Sequence, residues 1–294
     1  MKRLVVTADD FGVAVQVNEA VEQAHAQGVL TAASLMVGGG AVADAAARAR
    51  RLPHLRTGLH LVLVEGRPVL PAAELPDLVG ADGLFRRDMV ACAVDIFFKP
   101  AARRQLVAEV TAQFEAYAAT GLALDHVNTH KHFHLHPTIA GAILKVGRRF
   151  GLDAMRVPSE PRGVLVAVEP GARVAPAYVT APWSELVRLR LRRAGVRTAD
   201  HVFGLHWSGG VTPARLHGLI DNLPDGLNEI YLHPATADGF EGAAVGYRYA
   251  EEFAALTDPR VRQAVAASGA VLGGFADFRT SPPRHVSGVA AAWT

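Results

Sequence analysis

The sequence predicts an α/β protein, a variant (β/α) TIM-type barrel with a long loop or lid insertion, folded as a single domain. Two observations lead to this fold class. Short β-rich runs alternate with helical segments, as in parallel sheets whose strands are joined by helices. Polar clusters follow several of these runs, and barrel active sites are built at the carboxyl ends of strands. We expect the domain to span residues 1–280, followed by a polar tail at 281–294.

The composition narrows the class of protein. The chain has 294 residues, 50% of them hydrophobic, and a net charge of +2, which is too small to favour nucleic acid as a partner. The one cysteine, Cys92, cannot form an internal disulfide, so an oxidising compartment is not required. The amino-terminal apolar run is too short for a signal peptide, and no stretch approaches the ~20 apolar residues of a spanning helix. We therefore expect a cytoplasmic protein.

The first half of the chain reads as three strand–helix units and an insertion. The predicted strands are 4–7, 32–37 and 56–64; the first helix carries an apolar stripe from Val17 to Ala24 and ends at Gly28, and the second covers about 41–52. Residues 65–100 lack periodicity and contain several Pro and Gly, so we expect a long functional loop there. A helix is predicted at about 102–119, a strand from Leu124 to about His132, and a helix from Pro137 to near Gly151.

The second half continues the alternation. Strands are predicted at 154–158, 196–204, 228–233 and 270–275, and helices at 183–194, 213–222 and about 248–267. Residues 163–182 look irregular. In the helix at 183–194 we expect Trp183, Leu186, Val187, Leu191 and Ala194 to face inward.

A row of histidines is the most unusual part of the sequence. His126, His130, His132, His134 and His136 occupy even positions with Asn128 between them, while the odd positions are mostly apolar. Because alternate residues of a strand share a face, the pattern predicts one apolar face and one face of imidazoles. Six alternate positions span roughly 17 Å, so a single ion could use one or two of these rings. The others would be core residues or would lie behind the ligands.

Three predicted strand ends supply a set of metal ligands. Asp9 and Asp10 follow the first strand directly, and two adjacent carboxylates repel unless a cation is near. A helix N-cap is the simpler explanation for one Asp, but it does not account for two. Together with His60 and His130, Asp10 forms a ligand set typical of a catalytic divalent ion with an open position. Zn, Ni, Co, Mn or Fe would suit these ligands, and Mg less naturally.

Five motifs then resemble one family, the YdjC-like carbohydrate deacetylases. They are Thr7-Ala8-Asp9-Asp10-Phe11-Gly12, Gly58-Leu59-His60-Leu61, His126-Val127-Asn128-Thr129-His130, Arg156-Val157-Pro158-Ser159-Glu160 and Tyr231-Leu232-His233-Pro234, in the family's order over about residues 3–278. The resemblance implies a variant barrel that removes acetyl groups from N-acetylated amino sugars. It implies a divalent metal on Asp10, His60 and His130, with Asp9 as general base and His233 as the acid.

The resemblance also implies residues around the reacting groups. Arg156 and Glu160 match a pocket motif and, with His132, are expected to contact substrate; His126 and Asn128 are expected behind the metal ligands. Many members carry Asp where this chain has Asn128, which changes the charge beside the metal. The run from Asn128 to Pro137 resembles the branch associated with hopanoid biosynthesis, which implies an N-acetylglucosaminyl lipid as substrate.

A lipid-linked substrate would bring the protein to the inner face of the membrane. Asp95-Ile96-Phe97-Phe98-Lys99 offers an apolar surface, and Arg188, Arg190, Arg192 and Arg193 lie on a helix with an apolar stripe. Lid packing and a solvated helix face are the simpler explanations. The oligomeric state stays open, and a homo-oligomer is compatible with the sequence.

Two other functions stay open at this point. Another metal-dependent barrel enzyme, a phosphoesterase or a sugar isomerase, would use similar ligands. A metal-binding member of the fold without turnover is the second alternative, and Asn128 leaves room for it. An intact set of Asp9 and His233 beside the metal ligands favours an enzyme, because a protein that only binds metal needs neither.

Overall fold

The strands of a computed structural model run parallel and curl around a shared interior. The structure describes residues 1–171 and 181–279. Seven strands are present in those two ranges: β1 (Lys2–Phe11), β2 (Ala32–Leu35), β3 (Arg56–Leu61), β4 (Val127–Thr129), β5 (His201–Phe203), β6 (Gly226–Leu232) and β7 (Val271–Leu272). They are hydrogen-bonded in the order β4, β3, β2, β1, β6, β5, and β7 pairs with the beginning of β1.

Short bridges continue the curled sheet between its two ends. Val127 pairs with Met155 and Ala154 with Arg197, both in parallel, so the chain after β4 and the chain before β5 stand side by side. The predicted strand at 154–158 is reduced to these bridges. Helices surround the strands, and the predicted variant (β/α) barrel in a single α/β domain is confirmed.

The helices follow the apolar periodicity closely in most of the chain. Their bounds are α1 (Val15–Gln27), α2 (Val42–Arg51), α3 (Met89–Phe98), α4 (Pro100–Ala119), α5 (Pro137–Gly147), α6 (Arg162–Val168), α7 (Ala181–Arg193), α8 (Pro213–Asp221), α9 (Tyr249–Thr257) and α10 (Pro259–Ser268). Pro begins α4, α5, α8 and α10, because its missing N–H costs nothing in a first turn. None of the described helices is long and apolar enough to cross a membrane.

The insertion after β3 is packed against the barrel rather than loose. Buried Glu109 of α4 accepts backbone N–H groups of Val69 and Leu70 at 2.9 and 3.0 Å. Gln113, one turn later, accepts from the N–H of Val62 and donates to its carbonyl. Two polar side chains on one helix therefore fix the backbone of a segment that has little regular structure of its own.

The prediction of a loop over 65–100 was wrong at its end, where α3 forms. Asp88 caps this helix, its carboxylate accepting from Ala91 N at 2.9 Å. The residues of α3 itself are apolar on nearly all sides of the helix, so the sequence shows no amphipathic period there. Residues 162–168 form α6, whereas 172–180 and the predicted tail at 281–294 lie outside the described residues.

Helix α7 also departs from its predicted orientation. Val187 and Leu191 are buried as expected, but Trp183 and Leu186 are exposed. Arg188, expected on a charged outer face, is buried and donates to the carbonyl of Ala199 at 2.9 Å. The arginines of α7 therefore do not form one continuous solvent face.

Strand β1 ends in a bulge that shapes the interior. The pairing of β1 with β2 shifts register between Ala8 and Phe11, and Asp10 has φ of +62°. In a regular strand Asp9 and Asp10 would point to opposite faces. A bulge with a left-handed residue re-aims one side chain, and Asp is among the few residues that adopt this conformation readily.

Candidate active site

Both carboxylates at the end of β1 approach the same imidazole. Asp10 Oδ1 lies 3.4 Å from His60 Nε2, and Asp9 Oδ1 lies 4.0 Å from His60 Nδ1. His130 adds a second ring, with Nδ1 at 3.6 Å from Asp10 Oδ1. The ligand atoms of Asp10, His60 and His130 all lie within 4.8 Å of one another. Three separate chain segments thus converge on one point, as the sequence predicted.

Two of these ligand atoms make no hydrogen bond within the described residues. Asp10 Oδ1 and His60 Nε2 are buried and have no hydrogen-bond partner in the described part of the chain. Leaving a buried polar atom unpaired typically costs about 1–3 kcal/mol, so such atoms call for an explanation. One carboxylate oxygen and two imidazole nitrogens suit a divalent transition metal with open positions for water and substrate. The residues therefore fit the metal that the sequence predicted.

Asn128 fixes the proton on His60. Its Nδ2 donates to Asp9 Oδ1 at 3.0 Å and to Ser34 Oγ at 2.9 Å, which sets the orientation of the amide. Its Oδ1 then faces His60 Nδ1 at 2.6 Å and can only accept, so Nδ1 carries the proton. The lone pair of Nε2 is left pointing toward Asp10, and burial lowers the pKa of His60, which favours the neutral ring. This is the form that binds a metal.

Arg156 holds Asp9 from the other side. This fully buried guanidinium donates from Nη1 to Asp9 Oδ2 and from Nη2 to Asp9 Oδ1, and from Nε and Nη2 to Glu229 Oε1. Its plane lies over the ring of Tyr231, with 4.3 Å from Cζ to the centroid. Burial alone would raise the pKa of Asp9, but the charge of Arg156 outweighs it and holds the pKa far below its usual range. Asp9 is therefore ionised at neutral pH.

His233 is a cation on the far side of the cluster. Glu252, fully buried, accepts the backbone N–H of His233 at 2.5 Å and of Val211 at 2.8 Å, and its Oε2 lies 3.8 Å from His233 Nδ1. Burial would lower the pKa of His233, but Glu252 and the charges of Asp10 and Asp9 raise it to about 9. The ring therefore holds a proton at neutral pH.

The predicted strand face of five imidazoles was wrong. β4 ends at Thr129, and His130–Leu135 turns back as a 3-10 segment in which Lys131 and His132 both have positive φ. The turn brings His134 Nδ1 to 2.7 Å from Thr129 Oγ1 and His132 Nε2 to 2.9 Å from the Tyr231 hydroxyl. His136 caps α5. The alternation therefore extends only over the strand itself.

Arg156 and Glu160, which were expected to contact substrate, bind other groups of the protein. Arg156 is fully enclosed, so its expected contact with substrate does not fit its place; it orients Asp9 instead. Glu160 accepts three backbone N–H groups, from Gly204, Leu205 and His206, each at 2.9 Å, and anchors the loop after β5. Burial raises the pKa of Glu160 to about 7 although these donors oppose it.

Comparison with known proteins places the chain in a family. A family model described as YdjC-like protein matches residues 3–267. The chain belongs to the YdjC-like proteins. A carbohydrate deacetylase of Geobacillus stearothermophilus is 31% identical over 277 residues, covering 93% of this chain and 97% of the relative. A human carbohydrate deacetylase is 30% identical over 317 residues, covering 96% and 92%.

The fold of this YdjC-like protein recurs in a solved structure. A proposed cellobiose-phosphate cleavage protein of Enterococcus faecalis superposes with a TM-score of 0.74 at 24% sequence identity. The match covers 94% of this chain and 98% of the other. At that identity the likeness supports the fold alone.

Two of the family motifs pack against each other in this YdjC-like protein. His126, expected behind the metal ligands, is fully buried between Asp125 and Ser34, whose side-chain oxygens lie 2.9 Å from its Nδ1 and Nε2. A Cβ placed on Gly58 would lie 2.5 Å from the His126 ring. Glycine at 58 is therefore required by the close approach of this ring, two residues before His60.

Several residues of the site were missed from the sequence. Ser34, Glu229 and Glu252 each bond to a candidate site residue but belong to no motif or ligand-like cluster in the sequence. One signal was available. Glu229 lies in a buried strand whose residues are mostly apolar, and a carboxylate there requires a cationic partner.

Proposed function

We propose that this protein is a metal-dependent hydrolase that removes an acetyl group from an N-acetylated amino sugar. The observation that carries the proposal is the pairing of an unsatisfied Asp10–His60–His130 ligand cluster with a fixed carboxylate, Asp9, and a cationic His233 beside it. The relatives described as carbohydrate deacetylases support the acetylated sugar as substrate.

Asp10, His60 and His130 are the residues that would hold the divalent ion. Such an ion supplies a Lewis acid for the acetyl carbonyl and makes an attacking water more acidic. Since two of the three ligand atoms are nitrogens, Zn, Ni, Co or Mn suit the cluster better than Mg. Asn128 presents the lone pair of His60 by holding the proton on its other nitrogen.

Asp9 is the proposed general base, and its free lone pair lies on one oxygen. Oδ1 already accepts from Asn128 Nδ2 and Arg156 Nη2, whereas Oδ2 accepts only from Arg156 Nη1. A carboxylate oxygen offers two lone-pair directions, so Oδ2 can take the proton of the attacking water. The low pKa keeps Asp9 ionised but makes it a weak base. A divalent ion held by Asp10, His60 and His130 would compensate by making the attacking water more acidic.

His233 is the proposed acid. The water oxygen forms a bond to the acetyl carbon, the carbon–nitrogen bond breaks, and His233 gives its proton to the departing sugar nitrogen. The products are acetate and a free amino sugar. His132, whose Nε2 contacts Tyr231, has a buried Nδ1 without a partner in the described ranges and is proposed to meet a sugar hydroxyl.

We further propose an N-acetylglucosaminyl hopanoid lipid as the natural substrate, met at the inner face of the membrane. The support is the resemblance of the run from Asn128 to Pro137 to the hopanoid-associated branch. The test is an assay of acetate from metal-loaded protein given the glycolipid or free chitobiose. Acetate from the lipid alone supports both parts; acetate from chitobiose alone removes the lipid.

The control variants distinguish a wrong site from a wrong substrate. His60→Ala should lose both metal and acetate release, while His217→Ala, an exposed histidine on α8, should change neither. Release of phosphate, or an isomerised sugar, in place of acetate would overturn the proposal. Metal binding without any turnover would leave a metal-binding protein of this fold.

A further inference from the structure

The outer face of α3 carries an exposed apolar stripe. Val90, Val94, Phe97 and Phe98 are 75%, 50%, 50% and 70% exposed, at i, i+4, i+7 and i+8 of the helix. The inner face is already satisfied, since Cys92 and Ile96 are buried against the barrel. The rings of Phe97 and Phe98 also touch each other, with centroids 4.9 Å apart. Isolated exposed apolar residues are ordinary, but a contiguous stripe marks an interaction surface.

Cationic side chains flank this stripe. Between residues 86 and 104 the chain has five Arg or Lys and two Asp. Arg87, Lys99, Arg103 and Arg104 are exposed at the two ends of α3. One carboxylate, Asp95, is occupied by Arg86 at 2.7 Å and by Lys99 at 3.0 Å. An apolar helix face edged with positive charge matches the boundary of an anionic lipid bilayer, with acyl chains below and phosphates beside it.

The stripe lies next to the segment that begins with the candidate ligand His130. Phe97 contacts His136, with ring centroids 6.0 Å apart, and His136 ends the segment that begins with His130. Other exposed apolar residues follow the carboxyl ends of different strands: Val15 after β1, Leu205 after β5 and Val245 after β6. The side of the barrel that holds the candidate metal ligands therefore also carries exposed apolar residues.

We propose that α3 inserts its outer face into the surface of an anionic phospholipid bilayer and turns the mouth of the site toward the membrane. The biological purpose of this binding, to reach a sugar carried on a lipid, rests on the proposed function. Binding itself depends on α3 and its flanking cations. A single helix face of this size gives reversible attachment, and its strength falls as salt screens the cations.

The test is co-sedimentation with vesicles of phosphatidylglycerol or of phosphatidylcholine. We expect binding to phosphatidylglycerol at low ionic strength and weaker binding to phosphatidylcholine or in high salt. Val94→Asp and Phe98→Asp should each reduce the bound fraction about tenfold or more, because a charge replaces an inserted apolar side chain. The matched control is Val271→Asp, which alters an equally exposed valine next to the beginning of β1. It should bind vesicles like the parent.

A conservative variant guards against loss of folding. Phe98→Trp should bind vesicles normally, and its emission should shift to shorter wavelength on binding. Absence of sedimentation at low ionic strength, or sedimentation that Val94→Asp leaves unchanged, would overturn the proposal. A dimer in solution that Val94→Asp dissociates, without vesicle binding, would assign the stripe to a second copy of the chain instead. Acetate release from chitobiose, measured on the same preparations, tests the proposed function separately.

Discussion

Two halves of the same buried cluster differ in how completely the protein satisfies them. Around Arg156, every nitrogen of the guanidinium and both oxygens of Asp9 have partners, and Oε2 of Glu229 is left over. Around His60, by contrast, the facing atoms of Asp10 and His60 have no partner in the described part of the chain. Both halves contain buried carboxylates, so burial alone does not explain the difference.

The difference indicates which part of the site the protein completes by itself. Burying an ion pair is tolerated when hydrogen bonds replace the lost water, as they do for Arg156. Unpaired atoms facing one another across a gap of 3.4 Å are tolerated when a ligand will fill the gap. We therefore expect the Arg156 half to govern stability and the Asp10 half to govern metal binding.

The largest expected effect is the loss of the metal. Asp10→Asn and His60→Ala each remove a proposed ligand, so we expect metal content to fall strongly and activity to drop by at least about 10³-fold. Metal analysis after gel filtration, with acetate release in parallel, measures both. His217→Ala provides the matched histidine control. Full metal content in both variants would mean that the unsatisfied atoms serve another ligand.

Asp9→Asn should reduce turnover while keeping the metal. Loss of a general base typically lowers the rate by about 10²–10⁴-fold. Because Asp9 is proposed not to ligate, its removal should leave metal content near that of the parent. Steady-state kinetics together with metal analysis give the answer, and near-normal turnover would remove Asp9 as the base.

Arg156→Met should mainly destabilise the fold. It leaves Asp9 and Glu229 buried without a counter-charge, and breaking a buried pair typically costs about 3–5 kcal/mol. Chemical denaturation measures the change in free energy of unfolding. Arg197→Met, which breaks a half-exposed pair with Asp153, should cost about 1 kcal/mol or less. Equal losses in the two variants would contradict a special contribution of the buried Arg156 pair to stability.

The charge on His233 should make stability depend on pH. Its pKa in the folded metal-free protein is about 9, above the about 6.5 of an unfolded histidine. Stability from this group is fully present below about pH 6.5 and is lost as pH rises to about 9, a change on the order of 2–4 kcal/mol. Denaturation at a series of pH values should show the decline, and His233→Asn should flatten it.

The smallest effect is expected at Asn128. Asn128→Ala keeps all three proposed ligands but removes the acceptor that holds the proton on His60 Nδ1. This loss should weaken metal binding by about 10–100-fold. Metal titration measures it. Asn128→Asp sharpens the comparison, because its carboxylate would face Asp9 where an amide now donates at 3.0 Å. We expect this variant to be less stable than Asn128→Ala at neutral pH.

The sequence predicted that Asp10, His60 and His130 lie together because strand ends of a parallel sheet meet at one edge. It did not predict where the histidine row leaves the strand. Lys131 and His132 both have positive φ, and lysine rarely adopts this left-handed conformation. The local sequence therefore does not predict the turn, which the contact of His132 with Tyr231 helps to hold. Arg156 was assigned to substrate because sequence alone does not show which charges already have buried partners.

The fit between Gly58 and the His126 ring has a consequence for inheritance. The motifs that contain Gly58 and His126 are separated along the chain, yet a side chain on residue 58 would collide with the ring of residue 126. A substitution at one of these positions alone should lower the stability of the fold. Among relatives, we expect any chain that carries Ala or Ser at the position of Gly58 to carry a smaller residue at the position of His126. Substitutions at the two positions should therefore occur together among relatives.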